Sequence, residues 1–205
     1  MDTSAEARRC TGGQFDAVLV AASAGGIPAI GTVLGGLPAD FPAAVLAVQH
    51  LDPCYKSYLP QILDRRTELE VRDATEGDPI KAGIVYLAPR DHHLLVNSNC
   101  TLSLSHSELV HFVRPSADLL FKTAAAALGR RVIAVVMTGT GHDGEAGVRA
   151  IKARGGVVVV QDEKSAQFFS MPHNAIGTGC ADYVVPLEQI PQLLKQLVRE
   201  ETDDE

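Results

Sequence analysis

The chain has 205 residues, 46% of them hydrophobic and 21% charged, and a formal net charge of −7. That length suits one domain with a single sizeable core, and the composition is that of an ordered globular protein. The acidic balance argues against a general nucleic-acid binder, no apolar run approaches the roughly 20 residues that cross a bilayer, and the polar start MDTSAEARRC lacks the apolar core of a secretory signal.

These features lead to the expectation of a cytoplasmic protein with no membrane insertion. Cys10, Cys54, Cys100 and Cys180 lie far apart with no CxxC pair, so reduced thiols are expected, with neither a disulfide framework nor a cysteine-based zinc site. Residues 1–14 read as a disordered lead and 198–205 as a solvated acidic tail.

Between them, short apolar runs alternate with helical patterns. Ala17 to Ala22 reads as a buried strand, followed at once by Ser23, Gly25-Gly26 and a helix to about Leu37. Ala43 to Gln49 is a second such strand, ending at His50. Tyr55 to Arg66 has helical spacing, against which Pro60 is a local objection. Short strands follow around 69–72 and 83–88, and HHLLVNSNCTLSLSH predicts a hairpin turning at Asn97-Ser98-Asn99.

From Arg114 the strand–helix rhythm resumes. Pro115-Ser116 opens a helix with Asp118 in its first turn, Val132 to Met137 is a strand, and the loop 138–144 leads into a helix from Glu145. A strand at Val157–Val160, a short helix after Ser-Met-Pro, a strand near Tyr183 and a last helix from Leu187 complete the chain. Continuous β-branched runs alternating with helices predict a doubly wound α/β fold: a mostly parallel sheet covered by helices on both faces, with the hairpin near 92–106 antiparallel.

In such sheets ligands bind at the carboxyl ends of the strands. Ser23, His50 and Asp143 all fall at that edge, and a serine, an imidazole and a carboxylate that converge make a hydrolytic triad. The glycine-rich loops and the helix start after Ser23 supply backbone N–H donors for an oxyanion. Each residue also has a plain structural use, as a helix cap, a hydrogen-bonded strand end or a turn residue.

A rival reading comes from Gly139-Thr140-Gly141-His142-Asp143-Gly144, which matches GxGxxG with Asp162 further on, the dinucleotide-binding pattern. Asp143 opposes it, because a carboxylate inside that loop repels a pyrophosphate. His92-His93 are adjacent and point to opposite faces of a strand, and no HExxH spacing occurs, so no zinc site is expected.

Taken together, AASAGGIPAI, VQHLDP, YLAPRDHHLLV, RPSADLLF, VMTGTGHDG and FFSMPHNAI, in this order, resemble the catalytic domain of the chemotaxis receptor methylesterases of the CheB type, over residues 15–197. The resemblance implies hydrolysis of γ-glutamyl methyl esters on cytoplasmic chemoreceptor helices, releasing methanol, with deamidation of receptor glutamines. It implies Ser23 as nucleophile, His50 as base and Asp143 as orienting carboxylate, with oxyanion and substrate-positioning contacts from Ala24, Gly25, Thr140 and Arg114, and with no cofactor and no metal.

The chain departs from the family at Ala24, usually threonine, at Thr140, commonly methionine, at Leu51-Asp52-Pro53, and at His111-Phe112-Val113 before Arg114. Many relatives carry an N-terminal receiver domain, whereas about 15 residues precede the first strand here, which leaves three expectations open: constitutive activity, control by a separate regulatory protein, or a shortened form of a longer chain. A second functional expectation is a relative that binds a receptor or signalling protein with little or no turnover.

Overall fold

The computed structural model describes residues 9–51 and 57–199. Seven strands form one parallel sheet: β1 (Ala17–Ala22), β2 (Ala44–Gln49), β3 (Glu70–Asp73), β4 (Ile84–Leu87), β7 (Val132–Val136), β8 (Val157–Gln161) and β9 (Tyr183–Val185), in the order β3-β4-β2-β1-β7-β8-β9. A hairpin of β5 (His93–Val96) and β6 (Leu102–Ser105) stands apart as an antiparallel pair. The doubly wound arrangement read from the sequence is therefore present, with the hairpin where it was predicted.

The central strand explains the two faces. Every residue of β1 is buried, and alternation sends Ala17, Leu19 and Ala21 to one core and Val18, Val20 and Ala22 to the other. The first core is closed by α3 (Ala117–Leu128), α4 (Glu145–Ala153), α5 (Ser170–Gly177) and the hairpin. The second is closed by α1 (Gly26–Gly35), α2 (Leu59–Asp64) and α6 (Ile190–Leu197). Pro60 is accommodated because α2 begins at Leu59, so the proline sits in the first turn, where no intrahelical N–H is required. The expected start of this helix near Tyr55 lies outside the described residues.

The connections from β1 and β2 run to one side of the sheet, and β7 then pairs with the free edge of β1. This reversal beside β1 is the topological switch that opens a crevice at the strands' carboxyl ends.

The cysteine expectation is corrected. Cys10 and Cys100 form a disulfide, with a Cα separation of 5.3 Å across 90 residues of sequence. The cause is tertiary: buried Asp16 accepts hydrogen bonds from the backbone N–H groups of Cys10 (2.8 Å) and Thr11 (3.0 Å) and pairs with Arg131 at 2.6 Å. Residues 10 and 11 are thus pinned beside the hairpin turn that carries Cys100. Cys180 is free, and Cys54 lies outside the described residues.

Candidate active site

Strand register brings Ser23 and His50 together. Ala22 pairs with Gln49, and the His50 N–H donates to the Ala22 carbonyl at 3.1 Å, so the residues following β1 and β2 emerge side by side. The Ser23 N–H donates to the Thr138 carbonyl (3.0 Å), which ties the same turn to the end of β7. His50 Nε2 lies 2.8 Å from Asp143 Oδ2, with the imidazole and the carboxylate 11% and 3% exposed. Asp143 fixes Nε2 as the protonated nitrogen and leaves Nδ1 as the basic one. Ser23 Oγ makes no hydrogen bond among the described residues.

Asp143 has a second role that its place in a glycine loop does not reveal. Its carboxylate caps α3, accepting from the N–H groups of Ala117 (2.6 Å) and Asp118 (3.0 Å) and from Ser116 Oγ (2.7 Å). Burial alone pushes this carboxyl's pKa up, but the hydrogen bonds from His50, Asp118 and Ala117 outweigh it and hold the group below its ordinary value. Asp118 returns the arrangement: its Oδ1 accepts from the N–H groups of Gly144 (3.0 Å) and Gly147 (2.7 Å) at the start of α4. Each of two packed helices is capped by a carboxylate from the neighbouring segment, so the turn carrying Asp143 is fixed on both sides.

Two amides hold the loops. Gln49 is buried, and its Nε2 donates to the carbonyls of Ser23 (2.8 Å) and His50 (2.9 Å). Gln161 Oε1 accepts from the Thr138 N–H (2.8 Å), and Thr138 Oγ1 donates to the Ala24 carbonyl (3.0 Å). A Cβ at Gly26 would overlap Gln49 Oε1 and come 2.7 Å from Ala22 Cβ, so this position admits only glycine. Gln49, Thr138, Gln161, Ser116 and Asp118 were missed as site residues in the sequence. The available signal was a polar residue ending an otherwise apolar strand, as Gln49 and Gln161 do.

The remaining expected site residues divide. Ala24, Gly25 and Thr140 flank Ser23 and Asp143, and their backbone N–H groups donate to no acceptor among the described residues. Arg114 makes no hydrogen bond to Ser23, His50 or Asp143 among the described residues. Its guanidinium binds Asp91 Oδ1 (2.6 Å through Nη2) and the carbonyls of His106 and Ser107, bracing segment 106–114. The GxGxxG loop turns Asp143 inward onto α3, and Asp162 is engaged by Ser165 (2.6 Å) in its own turn.

His93 is buried, with Nδ1 accepting from the Ser116 N–H (3.1 Å) and Nε2 against the Glu108 carbonyl (3.0 Å); His92 lies on the exterior and contacts the Arg90 carbonyl. Burial pushes the His93 pKa down, despite the Glu108 carbonyl acting the other way. Among the described residues no cluster of His, Cys, Asp or Glu has the grouping of a metal site, and no helix is long and apolar enough to cross a membrane.

A strand-end serine, a His–Asp pair on the neighbouring loops and backbone N–H groups without an acceptor among the described residues lie together at one edge of a doubly wound α/β sheet. The comparisons narrow this. The CheB methylesterase family model matches residues 18–194, and the chain belongs to that family.

A protein-glutamate methylesterase/protein-glutamine glutaminase of Pyrococcus horikoshii is 41% identical over 185 residues, which are 89% of this chain and 50% of that protein. A putative protein of the same name from Leptospira interrogans is 39% identical over 183 residues, 89% of this chain and 95% of the relative. The crystal structure of the Thermotoga maritima CheB methylesterase catalytic domain superposes with a TM-score of 0.86 at 36% identity, covering 90% of this chain and 99% of that one. The chain thus spans about half the length of the Pyrococcus relative.

Proposed function

We propose that this protein hydrolyses γ-glutamyl methyl esters on the cytoplasmic helices of chemoreceptors to glutamate and methanol, and deamidates receptor glutamines by the same chemistry. This reading also puts the protein in the cytoplasm. The observation that carries it is the 2.8 Å His50–Asp143 pair on the strand end beside Ser23. Family membership supports the choice of substrate.

Ser23 Oγ attacks the ester carbonyl while His50 Nδ1 takes its proton, and Asp143 stabilises the imidazolium through Nε2–H. The oxyanion accepts hydrogen bonds from the N–H groups of Ala24, Gly25 and Thr140, each such donor being worth about 3 kcal/mol at the transition state. None of these needs a side-chain hydroxyl, so Ala24 and Thr140 are compatible with the role. The tetrahedral intermediate collapses, methanol leaves with the proton from His50, and water activated by the same imidazole hydrolyses the acyl-enzyme. With glutamine the leaving group is ammonia. No step calls for a metal or cofactor.

Methyl-labelled receptor incubated with the protein tests this reading. Methanol release that Ser23→Ala abolishes is the expected result, and equal release by the variant excludes Ser23 as nucleophile. A second reading, a receptor- or signalling-protein-binding relative without turnover, draws on the absence of a hydrogen bond to Ser23 Oγ. Free-enzyme nucleophile contacts commonly tighten only with substrate, which favours the first reading. Receptor binding without methanol release would favour the second.

A further inference from the structure

We propose that Phe112 is the anchor by which this protein docks onto the receptor helix that carries the ester, an inference that rests on the function proposed above. The ring is 95% exposed, the most exposed of the large hydrophobic side chains among the described residues. An isolated exposed apolar residue needs no explanation, but the way this one is held does.

Val110 and Val113 exchange both backbone hydrogen bonds, at 3.1 and 3.0 Å, closing a two-residue turn whose tip is His111-Phe112. Both tip residues are left-handed, with φ of 51° and 64°, a conformation that asparagine and glycine adopt readily and that is unfavourable for a phenylalanine. The segment therefore keeps an aromatic ring in water on a backbone that disfavours it.

The turn is also fixed to the active site. His111 Nε2 lies 3.1 Å from Asp118 Oδ2, and the His111 and His142 rings meet edge to face at 6.5 Å. Asp118 caps the helix that follows Asp143, and His142 precedes Asp143. Arg114 clamps the base of the same segment through Asp91 and the carbonyls of His106 and Ser107. The turn that presents the phenyl ring is thus held by the elements that position the carboxylate.

Leu109 on the same segment is 54% exposed. Phe168 is 40% exposed, and its backbone binds Thr138 and Gly139 beside Ser23.

The occupant that fits is an amphipathic helix. An ester on the side of a helix bundle cannot be enclosed by a pocket, so affinity has to come from neighbouring side chains on the same helix face. A protruding ring can enter the apolar seam of the helix that carries the esterified glutamate. Exposed aromatic rings set on fixed backbone are the usual anchors of such contacts.

The test compares Phe112→Gly, Phe112→Leu and parent on a methylated receptor cytoplasmic fragment and on a small glutamate γ-methyl ester. Phe112→Gly is expected to raise KM for the receptor about tenfold or more with kcat unchanged, to leave the small ester unaffected, and to raise the melting temperature because the left-handed strain is relieved. Phe112→Leu is expected to recover most of the receptor KM. A receptor KM within twofold of the parent for Phe112→Gly, or equal losses on both substrates, overturns the proposal. If the parent releases no methanol, the function proposed above fails. Docking is then decided by co-sedimentation with the receptor fragment, where undiminished binding by Phe112→Gly overturns it.

Discussion

Replacing Asp143 with asparagine separates the two tasks that the geometry gives this carboxylate. Four donors converge on it: His50 Nε2 and the Ala117 N–H on one oxygen, Ser116 Oγ and the Asp118 N–H on the other. A carboxamide keeps one acceptor oxygen and puts an NH2 in place of the other. In either orientation one backbone N–H of the first turn of α3 faces that NH2, and a buried unsatisfied donor costs about 1–3 kcal/mol.

Removing the negative charge from the helix start adds about 0.3–1 kcal/mol. The sum is a loss of about 1–4 kcal/mol, a sizeable share of a domain's roughly 5–15 kcal/mol. Chemistry suffers separately. With the NH2 toward His50, the imidazole protonates Nδ1 and can no longer accept the Ser23 proton, a fault worth on the order of 10⁴ in kcat. Urea denaturation gives the first quantity and methanol release from labelled receptor the second. A variant within 0.5 kcal/mol of the parent in stability and within tenfold in rate would refute both halves of the argument.

The pH dependence of stability has a defined sign. The Asp143 pKa is depressed below its ordinary 3.8 in the folded protein, so its stabilisation is complete above that value and is lost as pH falls through and below it. The His93 pKa is depressed below 6.5, so the unfolded chain takes up that proton first and stability declines as pH drops below 6.5. Denaturant midpoints from about pH 8 to about pH 2 should fall in these two windows, and His93→Gln should flatten the upper one; an unchanged upper slope contradicts the assignment. Gly26→Ala should destabilise by more than 2 kcal/mol and reduce turnover, because the new methyl displaces the Gln49 amide from the Ser23 and His50 carbonyls; parental activity in that variant would count against the role given to Gln49. Reducing Cys10–Cys100, which spans 90 residues, should lower stability by at most about 4–5 kcal/mol, and Cys100→Ser should remove the effect of reductant. Identical melting temperatures with and without reductant would argue that the bridge does not form.

The strands were legible because both faces of the sheet are covered, which forces unbroken apolar runs such as Ala17–Ala22 and Val132–Val136. The edge on which Ser23, His50 and Asp143 fall followed from parallel winding alone. The hydrogen-bond partners of each carboxylate were not legible. Asp118 reads locally as a first-turn residue of its own helix, yet its side chain caps the next one, because the packing of α3 on α4 decides which N–H groups it meets. The disulfide was hidden for the same reason: cysteine spacing carries no trace of a buried aspartate 115 residues from its arginine partner, holding the lead beside a hairpin. Arg114, expected as a substrate contact, also braces the turn that presents Phe112, a use visible only once Asp91 is seen opposite it.

The central claim is that Ser23 is a nucleophile activated by the His50–Asp143 pair. Locating the adduct of a serine-directed phosphonate by mass spectrometry, in the parent and in His50→Ala, tests it most directly. The account predicts one adduct per chain, on Ser23, and none in the variant. An adduct on another residue, or labelling of Ser23 at the same rate without His50, would contradict it.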